Sequence, residues 1–428
     1  MITPAVVAYP SNWPAASCPP VCVLPFLLSL IPEFLTPVIA RIYIYVILMI
    51  VLSAAAVDWQ FFHRRHLRWW KRLLFWFPQL LMVVYTLCLG LLKDFVPDNF
   101  TWVNVYLFLL GLLVVPQFVV VLCSLLGWCI QKLFRRRRNF GRLVGVMLVP
   151  LLWYVLIVGS TFGFSQFRVR HVTIESAELP AAFDGYRMVQ FSDVHVGTCD
   201  DSNRWLLQRA VDSINAQHAD VILFTGDLQN RQPSELDGSS SILSRLHAPD
   251  GVYSVFGNHD YPDYLRVPLE TKLSKFMELI DREEKMGWKV LLNSHATIRR
   301  GTDSLIIAGM ENDGDGRHFA QRGNIAHTLD GVRRSAYVVM MQHDPSSWRR
   351  KILPHSHAQL TLSGHTHAMQ FAIAGWSPVD FIYTEWGGLY ELSGRHLFVS
   401  TGLGGFIPFR FGVPGEIVVI TLKHKKSD

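Results

Sequence analysis

Residues 252–262 read VYSVFGNHDYP. An apolar, aromatic and β-branched run turns at Gly257 directly into an amide, an imidazole and a carboxylate, Asn258, His259 and Asp260. A run of that composition reads as a buried strand, so the polar groups fall at its carboxyl end. The same arrangement recurs on both sides of it. "RMVQFSDVHVG" (187–197) ends in Asp193 and His195, and "VILFTGDLQN" (221–230) ends in Asp227. "YVVMMQHDP" (337–345) ends in His343, and "QLTLSGHTHAM" (359–369) ends in His365 and His367. Further runs, "KVLLNS", "SLIIAGM", "HLFVSTGLG" and "EIVVITL", complete a series of short strands. Helical periodicity is predicted over 203–217, 234–246 and 264–286. A mixed α/β domain of two packed sheets flanked by helices accounts for this alternation, and strands apolar throughout are buried on both faces.

Each motif is weak alone, because Asp-x-His and His-x-His pairs are common. Together, D-x-H, G-D, G-N-H-D, H-D-P and G-H-T-H form an ordered series in which every member closes an apolar strand. Nitrogen and oxygen donors without thiolate suit Mn, Fe, Zn, Co or Mg. A carboxylate at Asp227 could bridge two ions, which two-metal hydrolases hold about 3.5–4 Å apart.

The 165 residues ahead of this domain have another character. They hold 13 Lys and Arg against 4 Asp and Glu, whereas residues 166–428 hold 27 against 30. The excess of positive charge thus belongs to the N-terminal part, and the C-terminal part lacks the basic surface that tracking a nucleic-acid backbone requires. Apolar stretches at 37–57, 73–92, 100–130 and 143–165 are each long enough to cross a bilayer, which takes about 20 helical residues. The third is overlong and contains Gly111, Pro116 and Gly127, which predicts one tilted or kinked span. Arg41 is the only charge inside a proposed span; the absence of other ionisable residues there argues against a transporter. Residues 1–36 are Pro-rich and partly apolar, with no charged region preceding "VCVLPFLLSLI", so a cleavable signal is not expected.

Short basic loops stay cytoplasmic. Loop 58–72 carries Arg64, Arg65, Arg68, Lys71 and Arg72, and loop 131–142 carries Lys132, Arg135 to Arg138 and Arg142. The expectation is therefore a multi-pass inner-membrane protein with residues 166–428 on the extracytoplasmic face. Five of the six cysteines precede residue 130 and only Cys199 follows, so no disulfide framework or CxxC zinc pattern can be read.

The motifs "FSDVHVG", "FTGDLQN", "FGNHDY", "MMQHDP" and "LSGHTHAMQ", in this order, resemble the calcineurin-like metallophosphoesterase family across residues 185–422. "WGGLYEL…LFVSTGLGG" is similar to the tail of its bacterial membrane-attached members. The resemblance implies a β-sandwich between helical layers with two divalent metal ions at the strand ends. Asp193, His195, Asp227 and His367 would bind one ion, and Asp227, Asn258, His343 and His365 the other. His259 would be the catalytic histidine, paired with Asp260. The expected reaction is in-line attack of a metal-bridging hydroxide on a phosphoester, with His259 steadying the transition state or protonating the leaving group and Asp260 orienting its ring. Monoesters and diesters both remain open; the membrane tether hints at a lipid-linked phosphate, since tethering raises local substrate concentration. The competing reading is an inactive metal-binding scaffold or sensor tethered to membrane lipid.

Smaller expectations concern other polar groups. The loop 309–318, "GMENDGDGRH", reads as a solvated acidic turn, and Gly402, Gly404 and Gly405 as a tight turn beside the site. His355 and His357 read as surface histidines, and Arg410 reads either as a contact for substrate anion or as half of a structural ion pair.

Overall fold

The computed structural model describes residues 36–63, 66–92, 97, 99–135, 138–199, 203–315, 319 and 321–425, with side chains from residue 42 onward. The Pro-rich segment to residue 35, the Arg41 side chain, Arg64, Arg65, Arg136, Arg137 and residues 316–318 lie outside the described residues.

Among the described residues, four helices are long and apolar enough to cross a membrane. The first, α1 (Thr36–Val57), continues as a π-helical turn through Asp58–Phe62. Next come α2 (Trp69–Gly90), α3 (Phe100–Leu133) and α4 (Gly141–Gly163). The overlong third stretch is one helix with a π turn at Leu110–Val114, just before Pro116. Proline cannot donate to the carbonyl four residues back, here Leu112, and its ring crowds that carbonyl. Trp153 of α4 fills the vacancy, its indole N–H donating to Leu112 O at 2.9 Å, as an apolar solvent demands. Helices α3 and α4 approach closely where a Cβ on Gly145 would lie 2.9 Å from the Val120 Cα, the close contact that small residues permit.

One expectation about the spans is corrected. The helices run past the apolar stretches, so α1 carries Asp58 into its last turn, 6 % exposed. Arg72 in the first turn of α2 donates twice to it, at 2.9 and 2.6 Å. Loop 58–72 is thus mostly helix, and this bidentate pair staples the two helix ends.

Beyond α4 two six-stranded mixed sheets pack face to face. The first contains β1 (Phe167–Ser176), β2 (Arg187–Phe191), β3 (Val221–Phe224), β4 (Val252–Ser254), β5 (Trp288–Val290) and β12 (Gly415–His424), ordered β1-β12-β2-β3-β4-β5. The second contains β6 (Ser294–Arg300), β7 (Asp303–Gly309), β8 (Tyr337–Met341), β9 (Leu360–Ser363), β10 (Gly388–Leu392) and β11 (Arg395–Val399), ordered β10-β11-β9-β8-β7-β6. Met188, Leu223 and Val418 of one sheet meet Leu305, Val339 and Leu362 of the other in a dry core. Helices α5 (Arg204–Asn215) and α6 (Leu269–Lys285) cover the outer face of the first sheet through Leu207, Val211, Phe276 and Leu279. The outer face of the second is covered by Ile325, Trp348 and Ile352. This is the expected layered sandwich. The helix predicted over 234–246 is instead two short turns, Pro233–Leu236 and Ser240–Leu243, with Gly238 between them.

Strands β2, β3 and β4 run parallel in neighbouring positions, as do β8 and β9 in the other sheet. Their carboxyl ends therefore open on one edge of the sandwich, where open α/β sheets place ligands.

Candidate metal centre

The loops leaving those strand ends bring six of the seven predicted ligands together, and Asn258 follows β4 at the same edge. Asp193, His195, Asp227 and His367 each offer a donor atom within 4.8 Å of the others, and so do Asp227, His343 and His365. Asp227 belongs to both groups. His367 Nε2 lies 3.2 Å from Asp193 Oδ1 and 3.2 Å from His195 Nε2. On the other side His343 Nε2 lies 3.1 Å from Asp227 Oδ2 and 3.3 Å from His365 Nδ1.

Ring nitrogens facing each other across two buried carboxylates are an arrangement that a cation completes. Asn258 supplies an independent test of fit. Its amide nitrogen lies 2.8 Å from Tyr264 Oη, and in that orientation its Oδ1 is buried with no hydrogen-bond partner. Such an orphaned oxygen beside His and Asp donors fits a hard or borderline divalent ion.

Electrostatics agree. Burial pushes the His195 ring down to about 3, and burial first, then the neighbouring His195, holds His367 well below its usual value. Both are neutral imidazoles, the form that binds metal. Burial raises Asp193 to about 6, against the pull of His343. Burial opposes ionisation of Asp227 as well, but the rings of His343 and His259 outweigh it and keep Asp227 well below the carboxylate range. His343 is buried too, yet Asp227 and Asp193 drive it up to about 10. The carboxylates thus demand positive charge at the centre of the site, the demand that divalent ions meet.

The backbone at these positions is unusual. Asp193, His195, Asp227, His365 and His367 all have φ between 48° and 77°, and the left-handed run continues through Ala368, Met369 and Gln370. Non-glycine residues seldom occupy that region, and such conformations persist where surroundings over-determine them. Here the clamps are visible. Gln370 donates its side-chain amide to Ile407 O at 3.0 Å and Phe409 O at 2.5 Å, and Thr366 Oγ1 donates to Trp386 O at 2.6 Å. The glycine turn lies against Asp193 as expected: Leu403 N–H donates to Ser192 O and Gly404 N–H to Asp193 O.

The expected pairing of Asp260 with His259 is not what forms. The Asp260 carboxylate accepts the backbone N–H groups of Gly257 at 2.8 Å, Asp227 at 2.7 Å and Leu228 at 2.8 Å, with Gln229 at 3.3 Å. It ties the loop after β3 to the loop after β4, and an acceptor saturated by four amides has no oxygen left for the ring. His259 is held instead by Asn230, whose carbonyl receives Nδ1–H at 2.8 Å, and by Tyr264 stacked at 4.8 Å. Because a carbonyl only accepts, the proton sits on Nδ1 and Nε2 is left for chemistry.

Arg410 also differs from both expectations. It is fully buried, and its guanidinium donates to the carbonyls of Gly404, Thr401, Gly402 and Val413. The 309–313 part of the acidic loop is buried rather than solvated, with Asp313 accepting Arg350 and Lys351, both at 2.6 Å. His355 is exposed and His357 half-buried, and neither joins a donor group. Tyr383 was not foreseen: its hydroxyl lies 2.8 Å from His365 Nε2, and it stands 18 residues beyond that histidine in an otherwise unremarkable apolar stretch.

The ring of Phe406 is tilted over His259 at 5.1 Å and meets His195 edge-on at 5.9 Å. From its other side it touches Phe100, the first residue of α3, at 6.3 Å. The centre therefore sits one side chain away from the membrane helices.

Comparison with known proteins agrees with this geometry. Residues 186–369 match the family model "Calcineurin-like phosphoesterase", and residues 40–164 match "Probable Calcineurin-like phosphoesterase, transmembrane domain". The chain is 29% identical over 262 residues to an "Uncharacterized metallophosphoesterase" of Aquifex aeolicus, covering 60% of this chain and 92% of that one. It is 29% identical over 378 residues to a "Transmembrane protein with metallophosphoesterase domain" of Danio rerio, covering 83% and 81%. The "UDP-2,3-diacylglucosamine pyrophosphatase LpxG" of Chlamydia trachomatis is 23% identical over 301 residues, covering 58% of this chain and 88% of that protein.

Proposed function

Because this chain belongs to the calcineurin-like phosphoesterases that carry a transmembrane domain, we propose that it hydrolyses a lipid-linked phosphoester at the extracytoplasmic face of an inner membrane. The carrying observation is the convergence of six donors from four strand ends on two overlapping groups that share Asp227. In this reading Asp193, His195, Asp227 and His367 hold one divalent ion, and Asp227, Asn258, His343 and His365 hold the second.

Two such ions supply a nucleophile from water near neutral pH and offset the charge of the phosphoryl oxygens. The protein's own groups do the rest. Asn230 and Tyr264 fix the His259 ring so that Nε2 can deliver a proton to the leaving oxygen, a role worth about 10²–10⁴-fold. Asp260 holds the β3 and β4 loops in register, so that Asp227 and Asn258 keep their spacing. Phe406 closes one flank against water.

The lipid-linked substrate is supported by the nearness of the centre to α3 and by the activity for which the chlamydial relative is named. The extracytoplasmic placement is supported by the Lys and Arg of the two loops on the opposite side of the spans. Mn and the other borderline divalent ions suit the donor set.

The test uses the full-length protein in lipid nanodiscs, loaded with Mn, Zn, Fe, Co or Mg and given bis-p-nitrophenyl phosphate, p-nitrophenyl phosphate and a panel of phospholipid and nucleotide-linked lipid substrates. Metal-dependent turnover, abolished by chelation and by Asp227→Asn with loss of both ions from the metal analysis, is the expected result. Full turnover by metal-free protein would end this reading.

A further inference from the structure

We propose that residues 369–382 form a membrane-embedded rim, inserted in the leaflet on the catalytic side, through which the metal centre receives its substrate directly from the bilayer. The inference rests on the hydrolase reading only for the identity of what enters; the rim itself rests on position and exposure.

Position is set by a ladder of contacts on α4. The Arg410 amide donates to Gly159 O at 2.9 Å, and Gly159 lies four residues, about 6 Å, before the helix end. A Cβ on Gly159 would lie 2.3 Å from the Phe409 ring, and one on Gly163 would lie 1.8 Å from Arg410 O, so the first glycine makes room for the Phe409 ring and the second for the 410 backbone along the helix. Still further down, the Phe411 ring meets Tyr154 edge-on at 6.1 Å. Tyr154 precedes the end of the span by nine residues, roughly 13 Å. This loop of the phosphoesterase domain therefore descends beside the apolar span rather than perching above it.

The rim is bound to that loop. Phe371 stacks on Phe411 at 5.8 Å, and Ala372 N–H donates to Phe411 O at 2.8 Å. Ile373 and Trp376 exchange backbone hydrogen bonds at 2.9 and 3.0 Å, and Trp376 meets the Phe381 ring at 6.1 Å. What these residues turn outward is mainly apolar: Met369 is 50% exposed, Ile373 52%, Trp376 47%, Phe381 82% and Ile382 67%; the exposed Asp380 between them has its carboxylate taken up by the Ser377 N–H and the Trp386 indole N–H. A cluster of that size on a water-facing surface has a partner. Its continuity with α4 identifies the partner as the bilayer, in which Trp, Phe and Ile settle at the boundary of headgroup and acyl chain.

Both ends of the rim are tied to the metal centre. Met369 follows His367 by two residues, and Tyr383, next after Ile382, holds His365 through its hydroxyl at 2.8 Å. A phosphoester whose apolar tails remain in the leaflet can thus present its phosphorus to the strand ends without leaving the membrane.

The experiment uses full-length protein in nanodiscs, with the native cysteines changed to serine and a polarity-sensitive NBD group attached at Ile373→Cys or Phe381→Cys. Blue-shifted emission that acyl-brominated phosphatidylcholine quenches by at least half, with no quenching at Lys285→Cys, is the expected result. Water-like emission at both sites overturns the proposal. So does blue-shifted emission that brominated lipid leaves unquenched, which would mean that a protein surface covers the rim. In a second measurement, Ile373→Asp with Phe381→Asp lowers kcat/KM on a vesicle-borne phosphoester about tenfold and leaves the rate on soluble bis-p-nitrophenyl phosphate unchanged; an equal loss on both substrates counts against the rim. Strong quenching in a protein that cleaves no phosphoester would refute the hydrolase reading and leave the rim standing.

Discussion

The Nδ1–H of His259 points at the carbonyl of Asn230, 2.8 Å away, and not at the neighbouring carboxylate. A backbone carbonyl fixes the tautomer without adding a charge to the ring. His259→Gln is expected to reduce turnover by about 10²–10⁴-fold while metal analysis of the purified protein still finds both ions. Loss of an ion, or unaltered turnover with both ions present, would remove His259 from the proton-transfer role.

Asp260 predicts a different phenotype. Asp260→Asn turns an amide group toward the N–H donors of Gly257, Asp227 and Leu228. Breaking charge-assisted bonds of this kind costs about 1.5–3 kcal/mol each at most, with the sum below additivity. A lowered thermal midpoint and weaker metal binding are expected together, and excess metal should restore part of the activity. A variant with native metal affinity and a selectively altered pH–rate profile would instead return Asp260 to the ring of His259.

Tyr383 holds a proposed ligand, His365, from behind. Removing the hydroxyl in Tyr383→Phe frees His365 Nε2, and loss of such outer partners weakens metal binding by about 10–100-fold. Titration with Mn should show activity displaced to higher metal concentration with the maximal rate nearly kept. An unchanged titration curve would show that the hydroxyl has no part in positioning His365.

Glu311 makes stability depend on pH. Burial raises its carboxyl from the ordinary 4.5 to about 7, against the bond donated by Tyr261 and the charge of Arg322. The folded protein therefore keeps a proton that the unfolded chain has released. The associated stabilisation is complete below about pH 4.5 and is lost as pH rises through about 7, by on the order of 3 kcal/mol. Glu311→Gln should flatten the thermal midpoint over this interval relative to the unmodified protein. An equal slope in both would assign the pH dependence elsewhere.

What could be read in the sequence was whatever burial had written as an apolar run. Strands β2, β3, β4, β8 and β9 are covered on both faces, and their ends announced the ligands. By contrast β1, β6 and β10 went unread: each is an edge strand, half-exposed, with polar residues scattered through it, as in "FRVRHVTIES" and "SHATIRR". Adjacency misled in one place. Asp260 follows His259 directly, but the chain turns there, Asp260 N–H donating to Gly257 O at 3.3 Å, so the carboxylate folds back onto the loop amides while the ring meets Asn230. Tyr383 and the Asn230 carbonyl carry no signal at all, one because it arrives from 18 residues away, the other because a backbone oxygen has no letter. The Asp58–Arg72 pair was hidden by reading hydropathy as a helix boundary, when helices extend as far as their caps and partners allow.

Only Phe164, Ser165 and Gln166 separate the end of α4 from the first residue of β1. A connector that short, bridged by the Arg410 bond to Gly159, gives the head no arc through which to swing. Its working height is set by the span below it, so for the lipid-linked substrate proposed above encounters would depend on lateral diffusion in a plane rather than on collision from solution. Lengthening those three residues would change the geometry of search before it changed any atom of the metal site.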